Sequence, residues 1–325
     1  MRRFFAPRFL LIALAAATCA LDANVPATAQ PAPAASRTCP TDANRLPVSA
    51  DPLDCARLYQ GIGLPQRLGD NDEPLTYACH KGYLAAHNDA RKTPDWVIQR
   101  LTRADVSGTN RRPDTRFKPD TPPLDCDHSA LDRDYTGSGY ARGHQAASAD
   151  FNADSALMVD TFYLSNAVPQ EGPGFNSGIW SYLEDRVRRV AAARGEVVVV
   201  TGSVRQPKAT RTLPDTFDAC GTRITLKALP RRTICGKQPC EDGVDVPAAL
   251  FKIIYDPRLG HLSAFLIGNE DQTANLAGGT RDAFLDQHRV TVATLEALTG
   301  YSLLPALPRA ARAGAIEACG GPMYR

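Results

Sequence analysis

Net charge is what this sequence has least of. Its 37 Lys and Arg face 35 Asp and Glu, and without residues 1–29 the balance is 34 against 34. A chain so near neutral exerts no global pull on a polyanion, so any affinity for nucleic acid has to come from a local patch. Long apolar runs are also missing. Beyond the N-terminal segment nothing approaches the roughly 20 apolar residues that a spanning helix needs, so no membrane span is expected. There is no internal repeat and no glycine-rich loop of the dinucleotide or P-loop type, which removes the common nucleotide-phosphate cradles.

Cysteine, by contrast, is plentiful. Cys39, Cys55, Cys79, Cys126, Cys220, Cys235, Cys240 and Cys319 remain once Cys19 is set aside with the N-terminal segment. An even number favours disulfides in an exported chain. The competing reading is zinc, with the two cysteines of "CGKQPC" as one ligand pair and Cys79 with His80, or Cys126 with His128, as the other. Export itself is read from the start of the chain. Arg2, Arg3 and Arg8 precede an apolar run from Phe9 to Ala20, and the small-residue site "ATA" ends at Ala29. This predicts a signal peptide over 1–29 and a periplasmic or secreted protein. A lipoprotein cysteine at Cys19 is disfavoured by the preceding Thr18.

Residues 30–54, rich in Pro, Ala, Ser and Thr, read as a flexible linker or arm, and 55–325 as a single globular domain. Within it, "DWVIQRLT" (95–102) alternates as a strand, with a short helix as competitor. Residues 106–139 form a long loop dominated by Gly, Asn, Pro, Asp and Arg. "TFYLSNAVPQ" predicts a strand ending near Asn166, and 176–194 a helix stopped by Gly195. "EVVVVTGSV", "LFKIIYD" and "LSAFLIG" are further strands, and "RDAFLDQHRVTVATLEALTG" a helix closed by Gly300. The implied fold class is α+β, a mixed layered sheet flanked by helices.

Chemistry is concentrated in two neighbouring segments. "YARGHQAASADFN" (140–152) holds Arg142 and His144 around Gly143, and the helix that follows carries Asn176, Glu184 and Arg188. Steps of eight and four residues keep these three on one broad helical face. Each has an ordinary reading too: Asn176 as a helix cap, Glu184 with Arg188 as a surface ion pair, and Trp180 as a core anchor. Taken together they suit phosphodiester hydrolysis. A carboxamide oxygen and a carboxylate acting through water fit Mg²⁺, a free histidine can take a proton from water, and arginines can neutralise phosphate charge.

These segments resemble the DNA/RNA non-specific endonucleases of the ββα-metal class, the endonuclease G-like family. "DYTGSGYARGHQAASADF" is similar to the family's Y-x-G-S-G-Y/F followed by D-R-G-H. "DTFYLSNAVPQEGPGFNSGIWSYLE" follows its S-N-x-x-P-Q and N-x-x-x-W-x-x-L-E blocks, and the likeness extends over roughly residues 75 to 306. The resemblance implies a ββα-metal motif with His144 as general base and Asn176 as direct ligand of Mg²⁺, or of Mn²⁺ in its place. It implies Glu184 on a metal-bound water, Arg188 on the phosphate or leaving group, and Arg142 assisting at the phosphate or bracing the site. Asn166 would place the loop leading to Asn176. A loop arginine, Arg112 or Arg116, would contact phosphate, with DNA and RNA as substrates. A cognate inhibitor protein and a homodimer are the further partners left open. The departure is Ala141, where the family has aspartate, which implies weaker metal binding with the reaction intact. Two alternatives remain: a catalytically weakened nucleic-acid-binding relative, and a disulfide-rich extracellular interaction protein.

Overall fold

The computed structural model describes residues 39, 45–69, 72–205, 211–212, 225–226, 231–237, 240 and 242–313. All of them belong to one compact unit, Arg37–Arg325. The segment read as a signal peptide, Cys220 and Cys319 lie outside the described residues. In chain order, β1 spans Leu75–Cys79, β2 Tyr83–Asn88, β3 Thr93–Thr102, β4 Ala141–His144, β5 Ala167–Gln170, β6 Glu196–Val204, β7 Ala249–Asp256, β8 His261–Gly268 and β9 Arg289–Val290. Three helices matter most: α1 (Ser181–Arg194), α2 (Arg281–Gln287) and α3 (Val292–Thr299).

Seven strands form the main sheet in the order β9–β8–β7–β6–β3–β2–β1. The α+β class and flanking helices stand; the sheet expected to be mixed is antiparallel at every pairing. The run of valines in β6 explains its central place. Val197 and Val199 pack on one face with Leu183, Val187 and Val190 of α1. Val198 and Val200 pack on the other with Leu58, Val292 and Leu295. A strand buried on both sides has to read as a continuous apolar run. Gly195, at φ 93°, ends α1 and turns the chain directly into β6. Strands β4 and β5 stand apart as a two-stranded ribbon over a third cluster that includes Phe117, Tyr135, Phe162 and Ala167.

Three local expectations change. The strand expected to end near Asn166 is instead a short turn, Leu164–Asn166, and the strand follows it as β5. The cause is the buried Asn166 carboxamide, which closes the turn with its own hydrogen bonds. The single C-terminal helix is split into α2 and α3. Between them Arg289 and Val290 pair with Phe265 and Ala264, and the Thr291 hydroxyl caps α3 by accepting from Thr294 N at 3.1 Å. Finally, the chain joins the fold before Cys55. Ser49 exchanges backbone hydrogen bonds with Cys79, and the Arg45 guanidinium reaches the buried Asp120. Disulfides Cys39–Cys126, Cys55–Cys79 and Cys235–Cys240 account for every cysteine invoked for zinc, and the zinc reading gives way to them.

Candidate active site

Strand β4 solves a packing problem at the Arg-Gly-His step. Side chains alternate along a strand, so Arg142 and His144 share one side and Gly143 faces the other. A Cβ at Gly143 would lie 1.9 Å from Cδ of Gln170, so only glycine lets the buried glutamine pass. Two residues beyond His144, the Asn166 Oδ1 accepts from Ala146 N at 2.8 Å. Its Nδ2 donates to Ala146 O and to Thr161 O, each at 2.9 Å. Asn166 is therefore a buried pin for the strand exit at Ala146, whereas the sequence had it placing the loop that leads to Asn176.

A cleft of about 730 Å³ opens over this strand, lined by His144, Arg142, Asn176, Glu184, Arg188, Arg112 and Arg116 among others. All the site residues named from the sequence except Asn166 meet there. The His144 imidazole sits between two rings, with centroid distances of 4.8 Å to Phe117 and 4.7 Å to Phe162. Its Nε2 has no partner. Burial, with the Arg112 charge added, drives its pKa down to about 3, so the ring is neutral.

Asn176 and Glu184 reach the cleft by a route the sequence did not show. Asn176 lies in a wide π-helical turn, Gly172–Trp180, broken at Gly178 (φ −97°, ψ −107°), so it shares no continuous helical face with Glu184 on α1. The turn is closed by Glu171, whose Oε2 accepts from Phe175 N at 2.8 Å, and by stacking of Phe175 on Trp180 at 5.3 Å. Asn176 is not a helix cap. On α1, burial pushes the Glu184 carboxyl up to about 7, Asp150 adding to the rise while Lys252, Arg188 and Arg112 oppose it. Arg188 is ion-paired with Asp150 (3.1 Å) and Asp185 (3.6 Å), so the surface pair imagined with Glu184 does not form.

The arginines differ in freedom. Arg142 is held by Asp132, Nε to Oδ1 at 2.6 Å, and lies over the Tyr135 ring, which makes it a brace of the cleft wall. Arg112 lies 5.0 Å from the Phe162 centroid, against the ring that packs on His144, and Arg116 lines the same cleft. Residues not singled out from the sequence also shape the site. Asp150 binds Arg188 and accepts from Gln99 Nε2 at 2.6 Å. Lys252 is buried under Trp180, 5.0 Å from its ring, and donates to Thr201 Oγ1 at 2.6 Å. A lone lysine inside the apolar "LFKIIYD" was the available signal, since a buried lysine is rare without a purpose.

Neither the Asn176 carboxamide nor the Glu184 carboxylate has a hydrogen-bond partner among the described residues. Two unengaged oxygen donors lining one cleft fit a hard cation that keeps most of its water. No cluster of three or more His, Cys, Asp or Glu side chains occurs among the described residues, so a cage of the structural-zinc kind is not the fit.

Residues 69–310 match the model of the DNA/RNA non-specific endonucleases. The chain belongs to that family. It is 32% identical over 237 residues to the mitochondrial nuclease EXOG of Homo sapiens, covering 71% of this chain and 57% of the relative. It is 30% identical over 239 residues to the mitochondrial Nuclease 1 of Schizosaccharomyces pombe, covering 71% and 66%. The chain thus spans somewhat under two thirds of these relatives. Among solved structures, EndoG in its crystal structure with EndoGI superposes with a TM-score of 0.61 at 24% identity, over 80% of this chain and 95% of that one. That likeness supports the fold.

The location expected from the sequence is corrected by the same comparison. The human and yeast relatives are mitochondrial nucleases by name, which overturns the expectation of periplasm or medium. The physical reason for the misreading is composition: three arginines and no acidic residue before Asp22 suit a mitochondrial leader as well as an export signal. No helix among the described residues is long and apolar enough to cross a membrane.

Proposed function

We propose that the chain is a metal-dependent nuclease, built as one nuclease domain, that hydrolyses phosphodiester bonds in both DNA and RNA. The observation that carries this reading is the meeting in one cleft of a neutral imidazole, whose Nε2 is unpartnered, with the unengaged oxygens of Asn176 and Glu184. Asn176 would hold Mg²⁺ or Mn²⁺ directly and Glu184 through a water, and the bound ion would supply Lewis-acid stabilisation of phosphate charge. His144 takes the proton from the attacking water, for which the ring must begin neutral. Arg112 and Arg188 offset the charge that develops on the phosphate, with Arg188 aimed by Asp150. Arg142, anchored on Asp132, holds the wall behind the base. Contacts of this kind engage the backbone that DNA and RNA share, so base selectivity is low and added salt weakens binding.

Plasmid DNA and single-stranded RNA, incubated with the protein in Mg²⁺ or in chelator, test the reading. Cleavage is expected only with the metal, and His144→Ala is expected to lower it by about 10²-fold or more. Undiminished cleavage by that variant would falsify the assignment of the base. Ala141 keeps one other reading in play, a weakened binder; retardation of the nucleic acid without cutting is its signature.

A further inference from the structure

Phe162 joins the two sides of the cleft. Its ring meets the His144 imidazole edge-on, with planes at 87° and centroids 4.7 Å apart. The Arg112 guanidinium carbon lies 5.0 Å from the same ring centroid. Phe117 closes a third side, 4.8 Å from the imidazole and 5.1 Å from Phe162. Both phenylalanines are buried, at 2% and 8% exposure for Phe162 and Phe117, so neither ring is free to swing into solvent. The backbone locks the arrangement: Lys118 N donates to Phe162 O at 3.0 Å, and Leu164 N donates back to Lys118 O at 2.8 Å. The loop that carries Arg112 and Phe117 is thereby tied to the segment that carries Phe162.

A catalytic imidazole is ordinarily oriented by a hydrogen bond on the nitrogen that does not react. His144 makes no hydrogen bond among the described residues, so its orientation falls to the rings around it. Aromatic pairs at these separations prefer edge-to-face geometry, and a guanidinium over a ring face is held by the ring quadrupole. We propose that Phe162 is a positioning residue for the nuclease reaction, one ring that fixes the His144 imidazole by its packing and seats the Arg112 guanidinium, so that base and phosphate-binding cation are placed as a single unit. The inference rests on the nuclease reading of His144.

Phe162→Leu keeps the apolar volume and removes the ring. In that variant kcat is expected to fall at least tenfold. The acid limb of kcat/KM is expected to move up in pH, because an imidazole that regains water regains basicity; Arg112 is the charged group whose field acts on it. NMR titration of the His144 ring in metal-free protein should show the same upward movement without recourse to activity. Arg112→Ala and the double variant complete a cycle. A shared unit predicts that the double costs no more than the worse single, whereas independent roles predict additive losses. An additive cycle with an unmoved acid limb and an unmoved ring titration overturns the proposal. If circular dichroism shows Phe162→Leu to be unfolded, Phe162→Met is read by the same titration, and an unmoved ring there overturns it equally. His144→Ala separates the two levels: if it stays active, the nuclease assignment fails, and if it is dead while the cycle is additive, only this inference fails.

Discussion

Ala141 lines the cleft beside Arg142 and faces Gln170 across the ribbon, where the family pattern has an aspartate. Beside the proposed metal, a methyl group there would leave the ion's water shell without one anionic acceptor. Ala141→Asp is therefore expected to lower the Mg²⁺ concentration for half-maximal cleavage several-fold, with little change in rate at saturation. A metal titration that does not tighten would count against a metal bound at this end of the strand. At this scale the sequence was informative about identity and poor on alliances. His144, Asn176, Glu184, Arg188 and Arg142 were named from motif and spacing, with Arg112 or Arg116 as the open choice of loop arginine, and all of them line one cleft. Asp150 as the partner of Arg188, and Lys252 beneath Trp180, were not so named, because each contact joins strands or helices far apart in the chain.

Among elements, the β4–β5 ribbon depends on one carboxamide. Asn166→Ala would strand Ala146 N, Ala146 O and Thr161 O in a fully buried place, at a cost of about 2–4 kcal/mol. Urea unfolding measures that loss, and a variant as stable as the parent would show that water replaces the side chain. Strands with clear alternation or apolar runs, such as β3, β6, β7 and β8, were legible, since burial pattern alone dictates them. The wide turn at Asn176 was not. A helix-like pattern runs straight through Gly178, and the Glu171 cap on Phe175 N together with the packing of Phe175 on Trp180 breaks it. The same limit split the C-terminal helix, where pairing of Arg289 and Val290 with β8 outweighs local helical preference.

Across the whole molecule, a buried charged cluster links the N-terminal residues to the loop that walls the cleft. His80 lies between Asp120 and Asp160, Nε2 and Nδ1 at 2.8 and 2.9 Å from their carboxylates, with Arg45 and Ser165 also on Asp120. Those two carboxylates raise the His80 pKa to about 9 against the desolvation that lowers it, and His80 in turn holds the Asp120 carboxyl down. With its folded pKa above the unfolded one, His80 contributes stability that is complete below about pH 6.5 and is lost as pH rises through about 9. The melting temperature is thus expected to fall by several degrees from pH 6.5 to 9.5. His80→Gln should lose that alkaline slope; a parent protein with a flat profile would show that the imidazole is not charged. The Cys55–Cys79 bridge closes 24 residues, and its removal is expected to cost about 3 kcal/mol in the same assay.

By itself the sequence determined the α+β class, the family and the chemical types that gather at the site, because these follow from hydrophobic period, motif order and side-chain functional groups. It misdirected on location, where an arginine-rich start without acidic residues is a feature that export signals and mitochondrial leaders share. The tertiary structure decided what depends on distance. It turned Arg142 into a brace, tied Arg188 to Asp150, broke the helical run at Gly178 and boxed His144 between two phenylalanines. Long-range contacts of that kind arise only when the sheet, the ribbon and the loop close on one another, and no local periodicity encodes them.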